Sequence, residues 1–194
     1  TGNTGMTDFP TTADALQKSQ AGGCGYPAVQ IYTGMIGTLY RYYYDDVFAA
    51  KLSADGKSLL YSTLLGGPCY DRPSALAVGP DGTVWIAGET DSDQFPLAWP
   101  LEGAPARGNY LSFVSAIDPA RGALRFSTYL SLGANPALAV GTDGGVWVAG
   151  ATGSQAQTGS LIGSPFGFQT APSDAFAGLI SLPAAAPQLN LTGV

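Results

Sequence analysis

Ser74 to Thr90 reads SALAVGPDGTVWIAGET and Pro136 to Thr152 reads PALAVGTDGGVWVAGAT, identical at 12 of 17 positions without a gap. Gly82 and Gly144 hold the same place in the two copies and set a period of 62 residues. In each copy two short apolar-rich runs flank an Asp-Gly pair, the pattern of two strands joined by a tight turn. Self-similarity built from such strands and turns points to stacked β units of the kind that make propeller blades.

Working outward, a second repeated element precedes the first. Phe48 to Gly66, FAAKLSADGKSLLYSTLLG, shares its pattern with Phe113 to Ser131, FVSAIDPARGALRFSTYLS: a strand, a Gly turn, and a strand ending in aromatic-Ser-Thr-x-Leu. Each unit then has four strands, about 47–52, 59–64, 75–78 and 84–88 in the first and 113–117, 124–130, 137–140 and 146–150 in the second. The expected fold is all-β, with four-stranded antiparallel blades of a β-propeller, two complete units and partial units at both ends. The chain divides accordingly into a tail of a preceding blade (1–17), a Tyr-rich insertion (18–45), a blade (46–98), a connection (99–111), a blade (112–152), a connection (153–173), the first strand of a further blade (174–182) and a linker (183–194).

The order D-x-F-A-A-K-L, D-G-K-x-L-x-Y-S-T-x-L-G-G, then L-A-V-x-x-D-G-x-x-W-x-A-G-x-T and F-P, running from Asp46 to Pro96 and again from Ser112 to Thr152, resembles the bacterial β-propeller repeat family abbreviated SBBP. TGNTGMTDFPTT at Thr1 to Thr12 resembles the tail of such a repeat, and Asp174 to Leu182 the head of the next. The resemblance implies propeller blades of a secreted or surface-attached bacterial protein. It carries no catalytic residues to this chain.

Composition agrees with a turn-rich β protein: 27 glycines, 14 prolines and 11% charged residues. The net charge of −6 and the absence of a Lys/Arg cluster exclude nucleic acid as a partner. No apolar run reaches the roughly 18–20 residues that span a bilayer, so membrane insertion is not expected. The chain has no histidine, which removes Ser-His-Asp and Cys-His catalysis and imidazole metal sites.

The two cysteines, Cys24 and Cys69, lie in the two places where internal symmetry breaks. Phe9 and Phe48 are 39 residues apart where Phe95 and Phe113 are 18 apart, and the loop around Pro68 to Tyr70 is 3 residues longer than its counterpart. In an up-and-down blade both insertions emerge at one end, so a disulfide is expected, stabilising by about 3–4 kcal/mol in the chain-entropy model; free buried thiols are the alternative. Asp8, Asp14, Asp45, Asp46, Asp71, Asp91, Asp93 and Glu102 are expected at that same end. They read as solvated turn residues. Asp91 and Asp93 are the weak calcium candidates, and paired acids leave glycoside hydrolysis open, although D-x-D alone is unspecific. The Asp-Gly pairs at 55–56, 81–82 and 143–144, at the opposite end, read as turns, and Trp85 and Trp147 as packing aromatics.

Tyr32, Tyr40, Tyr42, Tyr43 and Tyr44 lie outside the repeat and form a candidate contact surface or an extra hairpin. The expected function is a non-catalytic structural or binding module, extracellular or at the cell surface, whose partners are further blades of the same polypeptide or other protein chains. The rivals are a subunit of an extracellular assembly or filament and a polysaccharide-active propeller enzyme. Two blades do not close a ring, so the chain is not expected to be a closed monomer, and Val84, Ile86, Val146 and Val148 are expected to need flanking blades for full cover.

Overall fold

The computed structural model describes residues 1–24, 30–31, 38–39, 44–101, 111–130, 136–151, 175–181 and 188–190. The strands are β1 (Gly2–Thr4), β2 (Gln30–Ile31), β3 (Thr38–Leu39), β4 (Asp46–Leu52), β5 (Leu59–Leu65), β6 (Asp71–Val78), β7 (Val84–Thr90), β8 (Leu111–Asp118), β9 (Ala123–Leu130), β10 (Ala137–Val140), β11 (Val146–Ala151), β12 (Ala175–Ser181) and β13 (Gln188–Asn190). They form antiparallel sheets in the orders β1-β4-β5, β6-β7-β8-β9 and β10-β11-β12-β13, with β2 and β3 as a separate short pair. Among the described residues there is no helix, hence none long and apolar enough to cross a membrane.

The strands fall where alternation places them, but the sheets are out of phase with the sequence repeat. The expectation that 46–98 and 112–152 each form one four-stranded sheet does not hold: β4 and β5 pair with β1, whereas β6 and β7 pair onward with β8 and β9. The physical reason lies at the edge of β5. Thr12 N–H donates to Ser62 O at 3.0 Å and Leu64 N–H to Gln17 O at 3.0 Å, so residues before the insertion occupy the main-chain groups that β6 would need. The same device recurs at β9, where Ala98 and Ser127 exchange both main-chain bonds, at 3.1 and 2.8 Å. A second expectation is corrected at 183–194: Gln188–Asn190 is β13, paired with β12 through Leu179 and Asn190, so this stretch contributes to a sheet and is not only a linker.

The middle sheet is covered on both faces. Period-2 alternation sends Ile86, Phe113, Ile117 and Tyr129 towards Val47, Ala49, Tyr61 and Leu65 of the β1-β4-β5 sheet. It sends Trp85, Ala87, Val114, Ala116, Phe126 and Leu130 towards Val146, Val148 and Ile180 of the β10-β13 sheet. The three sheets therefore pack in series. Phe9 stacks on Phe48 at 4.8 Å and Phe95 on Phe113 at 4.5 Å, with nearly equal ring tilts of 35° and 32°. Ser62 Oγ donates to Pro10 O at 2.7 Å, and Ser127 Oγ to Pro96 O at 2.6 Å. Repeated sequence has become repeated contact. Ile86, Val146 and Val148 are already buried between sheets, contrary to the expectation that they need further blades; the open apolar side chain of β11 is instead Trp147, on the outward face and 43% exposed.

Candidate functional site

The strands have two ends, and the chemistry divides between them. At one end the Asp-Gly pairs are turns: Gly56, Gly82 and Gly144 have φ of 71°, 82° and 84°, a region that L side chains avoid. In each turn the Asp carboxylate accepts a main-chain N–H two residues on, from Lys57, Thr83 and Gly145. Asp81 also pairs with Arg125. These hydrogen bonds, the Thr83 N–H first, hold the Asp81 carboxyl down at about 2.

At the other end β4 begins, β5 ends and β6 begins, and the chain crosses from one sheet to the next through 66–70. Asp71 N–H donates to Asp45 O at 2.8 Å, which ties the two sheets together there. Cys69 is bonded to Cys24 with Cα atoms 4.6 Å apart, so the expected disulfide is present. The crossing is further held by Cys69 N–H to Ser92 Oγ at 2.9 Å and by Tyr70 N–H to Asp91 Oδ1 at 2.5 Å. Arg72 lies over the Tyr70 ring, 4.2 Å from its centroid.

Beneath this crossing sit two buried carboxyls. Asp46, 1% exposed, accepts at Oδ2 from Gln17 Nε2 at 2.7 Å and from Ala21 N–H at 3.2 Å. Asp71, 0% exposed, accepts at Oδ2 from Gly67 N–H at 2.8 Å and from Ser92 Oγ at 3.2 Å. The two meet at Gly66: a Cβ there would lie 2.7 Å from Asp71 Oδ2 and 2.8 Å from Asp46 Oδ1. Burial, above all, pushes Asp46 up to about 6 and Asp71 up to about 8, with the Asp46 charge adding to the rise at Asp71. Sequence reading had both acids at the correct end but as solvated turn residues. That is corrected: each is the first residue of a strand at an inter-sheet junction, where packing covers it.

Of the other acids, Asp91 is drawn into the crossing, and its carboxylate lies within 4.8 Å of the Cys24 and Cys69 sulfurs. A disulfide has no thiolate to offer, so these three groups are not a metal-ligand set in the oxidised protein. Asp93 is half-buried near Tyr129, whose hydroxyl donates to Ser92 O at 2.8 Å. Asp8 is exposed. Asp14 departs from its expected end, since its carbonyl sits against Gly122 in the β8–β9 turn, because 8–17 runs along β5 before returning to Gly66. Glu102, Tyr32, Tyr40, Tyr42 and Tyr43 lie outside the described residues. Tyr44 packs its ring on Gly23 beside Cys24, and its carbonyl accepts from Gln20 Nε2 at 3.2 Å.

Trp99 was missed by the sequence reading. It is 66% exposed with φ of 51°, on the segment that covers β9, and only its lack of a partner in the repeat set it apart. No protein-family model matches the chain, and none of the curated proteins searched shows significant similarity to it.

Proposed function

We propose that this chain is a non-catalytic structural and binding module, a run of propeller blades of the bacterial SBBP type from a secreted or cell-surface protein. The observation that carries the reading is the serial packing of three sheets, in which the Phe9–Phe48 contact of the first unit recurs as Phe95–Phe113 in the second. Units that bury their apolar faces chiefly against neighbours are what repeat architectures require. The disulfide is consistent with an oxidising, extracellular compartment. The acids that approach one another, Asp46 and Asp71, are buried under Gly66, which disfavours a role in attacking a polysaccharide.

The outward face of β11 is where a further unit packs, whether from the same polypeptide or another chain, with Trp147 at its centre. Sedimentation equilibrium of the 194-residue chain tests this. Self-association that Trp147→Glu abolishes is the expected result. A monodisperse monomer at every concentration, with Trp147 open to solvent, would count against the reading.

A further inference from the structure

Asp46 and Asp71 present a problem that the protein groups around them do not solve. Asp46 Oδ1 and Asp71 Oδ1 are both buried and lack any hydrogen-bond partner. Their other partners are Gln17 and Ala21 for Asp46, and Gly67, Ser92 and the Thr90 hydroxyl for Asp71, all neutral donors. Among the described residues no Lys or Arg pairs with either carboxyl; Arg121 pairs with Asp118 and Arg125 with Asp81, both at the turn end. The further charge acting on Asp46 is Asp45, which is also negative. Two buried carboxylates without a counter-charge cost several kcal/mol each, and structures resolve this by protonation or by a bound cation.

The arrangement favours the cation. The unpartnered Asp46 Oδ1 and Asp71 Oδ2 both lie against the same side of Gly66, each within 2.8 Å of where a Cβ on that residue would stand, so the two carboxyls are neighbours across the glycine. Any side chain at residue 66 would collide with both carboxyls, so glycine is what lets them approach. A single proton would leave one buried negative charge; a divalent cation neutralises both carboxylates at once. Carboxylate oxygens suit a hard ion. From Asp46, Asp71 and Gly66 we infer a structural divalent-cation site of the calcium type, pinning the junction between the β1-β4-β5 sheet and the β6-β7-β8-β9 sheet. With two acidic ligands its affinity belongs to the weak regime of extracellular modules, with Kd of about 0.1–1 mM. It is separate from the Asp91 and Asp93 pair and independent of the propeller reading.

Calorimetric melting of the intact, oxidised chain at pH 8.5 in EGTA, then with calcium chloride or magnesium chloride, tests the site. Calcium at a hundredfold excess over Kd should raise Tm by about 5–10 °C. Isothermal titration with calcium chloride should give one site per chain. Asp71→Asn and Asp46→Asn should each abolish both signals, whereas Asp91→Asn should keep them. If neither variant folds, titration of the wild-type chain still decides. No Tm shift and no heat with either ion would overturn the inference and leave the pair as carboxyls that fold by taking up protons. A calcium shift that survives Asp71→Asn would overturn it equally, since the ion would then sit elsewhere.

Discussion

Reducing the Cys24–Cys69 bond opens a cross-link between residues 45 apart in sequence. In the chain-entropy model the denatured chain regains about 13 cal/mol/K, worth about 4 kcal/mol at 25 °C. The native side keeps its place when the bond is cut: Cys69 is 6% exposed, its N–H is held by Ser92, and Gly67 and Tyr70 on either side are held by Asp71 and Asp91. Residues leading to Cys24 are anchored as well, through Ala21 N–H on Asp46 and Gln20 on the Thr4 carbonyl. The loss therefore falls on the unfolded state. Urea unfolding followed by tryptophan fluorescence, with Trp85 at 3% exposure as a buried reporter, measures it in oxidised and reduced protein. Reduction should lower stability by about 4 kcal/mol and raise the m-value, because the freed chain exposes more surface. The paired Cys24→Ser and Cys69→Ser variant should lose about 1 kcal/mol more, the cost of burying a poorly bonded hydroxyl. A loss below about 1 kcal/mol with an unchanged m-value would refute the reasoning and show that the unfolded chain is already compact between these residues.

Gly88→Ala should destabilise by about 3 kcal/mol or more in urea unfolding, because its Cβ would come 1.9 Å from the Arg72 carbonyl oxygen at the β6 bulge. Gly82→Ala, where nothing lies within 4 Å, should cost about 1 kcal/mol from its φ alone, and equal losses would contradict this account. The Asp81 carboxyl is held down at about 2, below its unfolded value, so its contribution is complete above about pH 4 and lost as pH falls through 2. Asp81→Asn should flatten that acid limb of the urea midpoint; an unchanged limb would exclude Asp81 as its source. Acrylamide quenching of single-tryptophan variants should rank Trp99 above Trp147 and leave Trp85 shielded, given exposures of 66%, 43% and 3%; protection of Trp147 at high concentration would report a partner on the outward face of β11.

The strands, the Asp-Gly turns and the all-β class were legible in the sequence because they are local. Alternation at period 2 and a glycine at positive φ depend on a residue and its near neighbours. The disulfide was legible too, since two insertions each carrying one cysteine single out one pair. Sheet membership was not. The loop from β5 to β6 and the connection from β7 to β8 both join consecutive strands, and what decides between them is which edge is already filled, here the edge of β5 by Thr12 and Gln17. Trp85 and Trp147 make the same point, for they share a motif and a register position opposite Ala77 and Ala139. One is buried against Phe126 and the other open, because a sheet covers the first and none of the described residues covers the second. Asp46 and Asp71 are the sharpest case. As residue types in connections they read as solvated, and only the meeting of two sheets over Gly66 buries them, because burial belongs to the packing of distant segments and leaves no periodic trace in the chain.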